Sequence, residues 1–426
     1  MIHLDTDTLT FSFRALDAEI HQLIEDHIER TSAAFVANFA TEADRLLAKR
    51  SSYSDNDDNA LAESRSRLDG FSDAQIGHAY RKACLAAHPS DGSHCEISFQ
   101  RTLRLPDDGK VYPLPAGLGC FPLRSVAAHA ESAPAPWLEK GGALLPMYQG
   151  EAMWMSFHSS VPCALKIGAG SVNALTGELD LPELDSDPQN YVVIPDQPWL
   201  DGFKVSKGTV RQFVAMPLGG GFTASEQLAQ NAEAGGVVIE AFPMKAGRYF
   251  EDEVRHRLAD VLEEVLTDLL GAGWKGESGM LFCRAAAPSM VECCGDMGLG
   301  AGGKIQQEVY ADDYGIDAWS FEHSSRLCVQ TCNAMMWRAV TGENPPHPPL
   351  TAKEYARYEI PWFDFYRDDL TPLPTTEKLA GLKSVDQVSV GNGLPAFATD
   401  DEIDPQLVIQ YGNARRQEEI REWCRS

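Results

Sequence analysis

Hydrophobic residues at helical spacing mark the N-terminal part of the chain. Several recur three and four positions apart: Ile20, Leu23, Ile24 and Ile28. This pattern predicts a helix over residues 15–50. A second helix is predicted over residues 73–88, because Ser72 can cap its start and Pro89 follows its end. A third stripe of apolar residues predicts an amphipathic helix over residues 251–270.

From residue 95 onward the pattern changes to short alternating or β-branched runs separated by Gly and Pro. Strands are predicted at residues 8–14, 95–105, 152–157, 164–167, 191–194, 210–214 and 237–242. Trp199-Leu200-Asp201-Gly202 is typical of a turn. A glycine-rich stretch over residues 295–303 predicts a loop before a strand at 305–310, and residues 324–340 predict a buried helix.

These elements predict an α+β protein with a β-rich, antiparallel sandwich-like body, helical insertions and an N-terminal helical region. At 426 residues, two or three domains are expected. We expect a mainly helical region at residues 1–93 and a β-rich main body at 94–390 that includes the helices near 251–270 and 324–340. Residues 391–426 are predicted to form a C-terminal tail with a helix.

The chain is strongly acidic, with a formal net charge of −26 and a pI near 4.7. Because phosphate contacts need clustered Lys and Arg, this charge argues against a nucleic-acid partner and against docking on anionic lipid. The ten cysteines include no C-x-x-C pair, and the N-terminus has no basic segment followed by an apolar run. No apolar run is long enough to span a bilayer. We therefore expect a cytoplasmic protein without a membrane partner.

Six sequence segments of the chain together carry a resemblance to other proteins. They are FQRTLRLPDDGKVYPLPAGLGCFPL, LPMYQGEAMWMSF, GSVNALTGE, PQNYVVIPDQPWLDGF, VRQFVAMPLGGGFTASEQL and GGVVIEAFPMK. Through these strings, which cover roughly residues 99–385, the chain resembles a family of uncharacterised bacterial and fungal proteins sometimes labelled "integral membrane protein". The resemblance implies no activity, ligand or catalytic residue. The membrane label has no support in the sequence, which lacks an apolar spanning segment.

Two glycine-rich segments raise the question of an anion site. GLGAGGKI matches the spacing of a phosphate-binding loop, but Ile305 stands where Ser or Thr would hold magnesium, which favours a turn. In GGGFTASEQ, backbone amides could face an anion, although Thr223 and Glu226 are spaced to form a capping box around a short helix.

Cysteine and histidine residues offer two candidate metal groups: Cys283 with Cys293 and Cys294, and His323 with Cys328 and Cys332. The paired spacing of zinc ligands is absent, so core packing is the favoured role and no metal or other cofactor is predicted. No G-x-S-x-G motif is present, and neither Cys120 nor Cys163 has a visible base.

Tryptophan beside carboxylate in loops is the remaining signal of a site. The candidate ligand-binding residues are Trp199, Asp201, Arg211, Asp317 and Trp319. Trp with a carboxylate suits recognition of sugars or cations, whereas Asp201 and Arg211 could also form a purely structural pair.

Three functions remain open from the sequence. The leading hypothesis is a non-catalytic binding or interaction protein with a protein or carbohydrate ligand, because no catalytic signature is assembled. An alternative is a hydrolase of glycans or peptides that uses Asp201, Glu178 or Glu240 as acid or base. A second alternative is a structural, self-assembling protein built on its long helices. Whether the chain is an enzyme is left undecided.

Overall fold

The computed structural model describes residues 1–51, 64–231, 233, 235–259, 261–270, 296–367, 369–396, 403, 405 and 407–412. The chain divides into two compact units. One comprises Met1–Ser12, Cys95–Pro243 and Arg284–Ser426, and the other comprises Phe13–His94 and Met244–Cys283. The first unit contains the sheets and the second is helical, so the α+β class predicted from the sequence is confirmed. The stretch near 251–270 groups with the N-terminal helices.

The described helices are α1 Arg14–Ser51, α2 Asp73–Leu85, α3 Ala135–Lys140, α4 Ala224–Ala229, α5 Ala246–Tyr249, α6 Arg255–Ala259, α7 Val261–Leu270, α8 Ala334–Thr341, α9 Ala352–Arg357, α10 Glu377–Ala380 and α11 Val385–Gly391. A π-helical turn, Phe250–Val254, joins α5 to α6, and residues 64–68 are also helical. Two 3₁₀ turns lie at Ala127–His129 and Ile316–Ala318.

The helical unit follows its sequence pattern closely. Ile20, Ile24 and Ile28 of α1 are buried at intervals of four residues, as the predicted stripe requires. Ser72 caps α2, because its side chain accepts from the Gln75 amide while the Gln75 side chain accepts from the Ser72 amide. The predicted start of α2 is therefore confirmed.

The described strands are β1 Ile2–Leu4, β2 Thr8–Ser12, β3 His94–Thr102, β4 Val111–Tyr112, β5 Leu114–Pro115, β6 Arg124–Ser125, β7 Ala143–Pro146, β8 Ala152–Ser159, β9 Cys163–Ala169, β10 Val172–Asn173, β11 Val192–Ile194, β12 Trp199–Leu200, β13 Gly202–Ser206, β14 Thr209–Pro217, β15 Val237–Pro243, β16 Met297–Gln306, β17 Ser325–Cys332, β18 Trp362–Tyr366 and β19 Val408–Gly412. They form a nine-stranded, a seven-stranded and a three-stranded sheet.

The two large sheets are mixed, with antiparallel pairs in the majority. The nine-stranded sheet has the order β1-β2-β3-β8-β14-β16-β4, with β12 paired to β8 and β13 to β14, and its β16–β4 pair is parallel. The seven-stranded sheet has the order β10-β9-β15-β17-β7-β6, with β11 paired to β9, and its β17–β7 pair is parallel. The small sheet has the order β19-β18-β5.

A fork in the nine-stranded sheet positions the candidate site. Strands β8 and β14 pair at Phe213↔Met153 and then separate. The chain enters the gap as β12, paired with β8, and leaves it as β13, paired with β14. Asp201 lies between these two short strands, at the tip of the inserted wedge. Gly202 permits this close approach, since a Cβ there would lie 1.8 Å from the Arg211 carbonyl oxygen.

Three sequence predictions for the β-rich unit were wrong. The glycine-rich stretch predicted as a loop forms most of β16, in which glycines leave room for neighbouring chain segments. At Gly300, for example, a Cβ would lie 2.7 Å from the Phe222 carbonyl oxygen. The predicted helix over 324–340 is instead strand β17 followed by α8, because Asn333 caps a new helix between them. Likewise, the turn predicted around Trp199 is the β12–β13 wedge.

Some predictions fall on residues outside the described ranges. They are the loop at residues 52–58, the part of the predicted C-terminal helix (405–423) beyond residue 412, and the cysteines Cys283, Cys293 and Cys294. Within the described residues that helix prediction was also wrong, because residues 408–412 form strand β19, paired with β18. Among the described residues, no helix is both long and apolar enough to cross a membrane.

Candidate functional site

Asp201 is a buried carboxyl group without a charged partner among the described residues. Its side chain is 1% exposed, and no side chain or amide described makes a hydrogen bond of good geometry to either oxygen. Burial raises the pKa of Asp201 well above its usual range, and the nearby Trp199 indole offsets this effect only in part. Burial without a compensating charge favours the neutral acid.

The backbone around Asp201 is held by buried glutamine side chains. Gln307 accepts from the Asp201 amide at 3.0 Å and donates to the Trp199 carbonyl oxygen at 3.2 Å. Gln197 donates to the same carbonyl oxygen at 3.0 Å. Two amide groups thus fix the peptide on the N-terminal side of the wedge, and the Phe213 amide donates to the Asp201 carbonyl oxygen at 3.3 Å on the other side.

Trp199 is the middle member of a row of aromatic rings. Its ring centroid lies 6.4 Å from that of Trp154 on β8, at an interplanar angle of 59°. It lies 4.9 Å from that of Phe365 on β18, at 56°. All three side chains are partly exposed. We call Trp154, Trp199 and Phe365 the aromatic row.

The aromatic row lies on a sheet face that is polar elsewhere. On β8, Met153 and Met155 are fully buried, while Trp154 and Ser156 between and after them are partly exposed. This alternation assigns Trp154 and Ser156 to the outer face. Ser156 is directly opposite Trp199.

Neighbouring β3 adds an amide and a hydroxyl to the same face. Gln100 is opposite Trp154, and Ser98 is opposite Ser156. The Gln100 side-chain amide donates to the Ser98 hydroxyl at 2.9 Å and to the Cys120 sulfur at 3.0 Å. The face therefore combines aromatic rings with oriented hydrogen-bonding groups.

Arg211 does not pair with Asp201. Its guanidinium donates to Asp107 at 3.0 Å and to the Gly302 carbonyl oxygen at 3.0 Å. The second oxygen of Asp107 accepts from the Ser384 hydroxyl. Arg211 thus ties β14 to the segment after β3 and to α11, which is a structural role.

Asp317 and Trp319 are not brought together as a site. Asp317 is exposed on the short 3₁₀ turn, whereas Trp319 is fully buried. The Trp319 indole donates to Asp312 at 2.8 Å, and the same oxygen accepts from the Tyr191 hydroxyl at 2.7 Å. Asp312, which sequence reasoning passed over, therefore anchors Trp319.

Glu240 belongs to a buried charge cluster on the seven-stranded sheet. The Lys166 amine lies 3.2 Å from an Asp180 oxygen and 3.7 Å from a Glu240 oxygen. Arg326 lies 3.4 Å from Asp180 and 3.8 Å from Glu240. Burial raises the pKa of Glu240 against the opposing effects of Lys166 and Arg326. We call Lys166, Asp180, Glu240 and Arg326 the charge cluster.

Glu178, the third carboxylate considered for catalysis, lies at the surface and pairs with Lys378. Asp201, Glu178 and Glu240 therefore have three separate environments: a buried site without a charged partner, a surface ion pair and a buried charge cluster.

The glycine-rich segment before α4 binds a carboxylate of its own. Glu226 accepts from the amides of Gly219 at 2.7 Å, Gly221 at 3.0 Å and Thr223 at 3.0 Å. Thr223 in turn caps α4, which confirms the predicted capping box. Although partial burial opposes it, this set of donors lowers the pKa of Glu226. The backbone amides of this loop therefore bind the carboxylate of Glu226.

The described residues contain no group of three or more His, Cys, Asp and Glu side chains arranged to hold a metal. Cys328 and Cys332, predicted on a helix, lie on β17. Cys332 is fully buried in a cluster with Trp137, Leu144 and Trp337.

Sequence reasoning found Trp199 and Asp201 but missed Trp154 and Phe365. The signal for Trp154 was present, because the run AMWMSF alternates and places Trp on the face opposite the methionines. No local pattern brings Phe365, more than 160 residues away, to the same place. No protein-family model, curated protein or solved structure matches this chain significantly.

Proposed function

We propose that this chain is a non-catalytic carbohydrate-binding protein whose site is the aromatic row on the outer face of the nine-stranded sheet. The observation that carries the proposal is the contact of Trp154, Trp199 and Phe365, each partly exposed, beside the amide and hydroxyl groups of β3 and β8.

The chemistry of a sugar ring fits this surface. Its C–H faces pack on aromatic rings, while its hydroxyl groups need oriented donors and acceptors. Gln100 and Ser156 supply such groups next to Trp154 and Trp199. Strand pairing holds all four residues on a rigid support, which limits the entropy lost on binding.

The environments of the carboxylates support binding rather than hydrolysis. A glycosidase needs two carboxyl groups that flank one bond, about 5–10 Å apart, in contact with substrate. Asp201 is 1% exposed, and Glu240 is held by Lys166 and Arg326. Glu178 pairs with Lys378 at the surface. None of the three combines exposure with a free second carboxylate.

A panel of immobilised oligosaccharides, followed by calorimetry on those retained, tests the proposal. We expect Trp199→Ala and Trp154→Ala each to weaken binding by up to about tenfold, since a stacked aromatic ring contributes on the order of 0.5–1.5 kcal/mol. Phe321→Ala is the matched control, because Phe321 is an aromatic residue that is 51% exposed away from the row. Absence of binding across the panel, or equal losses in all three variants, would refute the proposal.

A further inference from the structure

A cleft opens in the helical unit where α1, α2 and α7 meet. Helices α1 and α7 each pack on α2 more extensively than on each other, so a gap remains between them. The volume of the cleft is about 450 Å³, and small-molecule sites usually have volumes of about 300–1,000 Å³. The described residues that line it belong to the helical unit, whereas Trp154, Trp199 and Phe365 belong to the other unit. A ligand in this cleft is therefore independent of the proposed carbohydrate site.

The walls of the cleft are apolar and partly aromatic. Phe35 of α1 stacks on Tyr80 of α2, with ring centroids 4.2 Å apart at an interplanar angle of 24°. The ring centroid of Phe39, one turn further along α1, lies 5.9 Å from that of Phe35. The lining residues from α6 and α7 are aliphatic: Leu258, Val261 and Leu262. Such walls favour an apolar ligand body, because transfer out of water is favourable in proportion to the apolar area buried.

The hydroxyl groups in the walls have their hydrogens engaged within the protein. The Thr31 hydroxyl donates to the His27 carbonyl oxygen at 2.6 Å. Because a hydroxyl has a single hydrogen, Thr31 then accepts from the Tyr80 hydroxyl at 2.7 Å. The Asn38 side-chain amide donates to the Ala34 carbonyl oxygen at 2.9 Å. A ligand group that needs a hydroxyl donor is therefore poorly served here, whereas a ligand that brings its own donors is not.

Glu42 is the only charged side chain among the described residues that line the cleft. It lies on the same face of α1 as Phe35 and Phe39, since it follows them by seven and three residues. Its ion pair with Arg45 is long, at 3.9 Å, and both side chains are at the surface, 52% and 83% exposed. An exposed pair of this kind contributes little, so Glu42 can pair with a ligand cation at small cost.

We propose that this cleft is a second binding site, which takes a small hydrophobic amine. The apolar body of the ligand packs against Phe35, Phe39 and the aliphatic residues of α7, and its ammonium group pairs with Glu42. Aromatic faces also attract cations, which adds to the same preference. A carboxylic acid of the same size would be repelled by Glu42, and an alcohol would lack the charge that Glu42 complements.

The experiment uses the full chain and three compounds that share a phenyl ring on a short alkyl chain: 4-phenylbutylamine, 4-phenylbutanol and 4-phenylbutyrate. Calorimetry measures the dissociation constant of each. We expect the amine to bind with a dissociation constant below about 1 mM. It should bind more tightly than the alcohol by up to about fivefold, as a surface ion pair allows, and the carboxylate should bind more weakly than both. No binding of the amine at millimolar concentration, or equal affinities for all three compounds, would overturn the inference.

A matched pair of glutamate variants tests the role of the charge. Glu42→Gln should remove the advantage of the amine over the alcohol and leave the affinity for the alcohol unchanged. Glu29→Gln is the control, because Glu29 is also exposed on α1 but does not line the cleft. An advantage of the amine that persists in Glu42→Gln would contradict the assignment.

A matched pair of alanine variants tests the location. Ala34 and Ala33 are both exposed on α1, but only Ala34 lines the cleft. Ala34→Trp should fill the cleft and weaken binding of the amine by about tenfold or more, since the apolar contacts of the ligand are lost. Ala33→Trp should bind the amine as the wild type does. Equal affinities in these two variants would mean that the amine binds elsewhere, and the inference would fail.

A spectroscopic measurement on the wild type decides the location even if a variant folds poorly. The chain is labelled with 3-fluorotyrosine, and Tyr80→Phe identifies the ¹⁹F resonance of Tyr80. We expect this resonance to shift as the amine is added, and the resonance of Tyr355, which is buried in the other unit, to stay unchanged. A Tyr80 resonance that does not respond to bound amine would overturn the inference.

Discussion

Arg211 donates to Asp107 at 3.0 Å, and this ion pair leaves Asp201 with no charged partner. Both side chains of the pair are almost inaccessible, at 10% and 7% of their full exposure. Removing one member of a buried pair leaves the other charge uncompensated. Mutation of Asp107 should therefore destabilise the protein more than mutation of Asp201.

Asp107→Ala is expected to lower the free energy of unfolding by about 3–5 kcal/mol, because it leaves the Arg211 guanidinium buried without an anion. Asp201→Ala removes a carboxyl group that belongs to no ion pair, so its cost should stay below about 2 kcal/mol. Urea denaturation of both variants measures the difference. Equal losses of unfolding free energy in the two variants would contradict this prediction, because they would mean that Asp201 is as important to the buried Arg211 as Asp107 is.

The stability of the wild type should decline as the pH rises, and this decline should depend on Asp201. Burial raises the pKa of Asp201 in the folded state above its unfolded value near 3.9. Between these two values the folded state binds more protons than the unfolded state, so the free energy of unfolding falls with increasing pH.

Asp201→Asn removes this dependence. Its stability relative to the wild type should increase by about 1.4 kcal/mol per pH unit within that window. Parallel denaturation curves at several pH values provide the measurement. A constant difference between the two proteins would mean that Asp201 ionises equally in the folded and unfolded states.

Within the charge cluster, Lys166 and Glu240 are opposite each other on β9 and β15. Lys166→Met should cost about 3–5 kcal/mol, because two buried carboxylates lose their central cation. The double variant Lys166→Met, Glu240→Met should recover at least half of that loss, since Arg326 still pairs with Asp180. Strictly additive losses in the double-mutant cycle would contradict this coupling.

Gly300 on β16 is required by the packing of its neighbours. A Cβ there would lie 2.7 Å from the Phe222 carbonyl oxygen and 2.9 Å from a methyl group of Val385. We expect Gly300→Ala to cost about 1–3 kcal/mol by overpacking. Gly391→Ala is the matched control, because no atom lies within 4 Å of its Cβ position. The midpoint temperature of thermal unfolding should fall for Gly300→Ala and stay nearly unchanged for Gly391→Ala.

The hydrogen bonds to Glu226 should contribute to stability only where its carboxylate is ionised. Its folded pKa is lowered below the unfolded value near 4.3, so the contribution is fully present above that value and is lost as the pH falls through the folded pKa. Glu226→Gln should cost about 1 kcal/mol at neutral pH. The difference from the wild type should vanish in acid, as measured by thermal unfolding.

Local patterns were sufficient to predict the class of fold and many of its elements. Ile20, Ile24 and Ile28 predicted a helix, because their spacing places them on the one helix face that is buried. Ser72 predicted the start of α2, because its side chain accepts a hydrogen bond from the backbone amide of Gln75 in the first turn. The glycines of β16 led to a wrong prediction of a loop, because the contacts that require glycine there are made with residues far away in sequence. Gly300 exists to make room for Phe222 and Val385, and no neighbour in sequence reveals that.

The candidate site was predictable only in part for the same reason. Trp199 and Asp201 are adjacent in sequence, and their combination suggested a ligand. The partners of Arg211 could not be inferred, because Asp107 lies 104 positions away and reaches it through tertiary folding. The absence of a charged partner around Asp201, among the residues that the structure describes, is likewise a property of the packed fork.

The helical unit is built from two separated stretches of the chain, and this has a consequence for co-translational folding. Its two stretches, Phe13–His94 and Met244–Cys283, are separated by 149 residues of the other unit. The ion pair of Lys82 with Asp268 joins residues 186 positions apart. On a ribosome that adds about 5–20 residues per second, α1 and α2 therefore emerge many seconds before the helices that cover them. Their apolar stripes are exposed during that interval, so we expect chaperone dependence to concentrate in the nascent chain before residue 270.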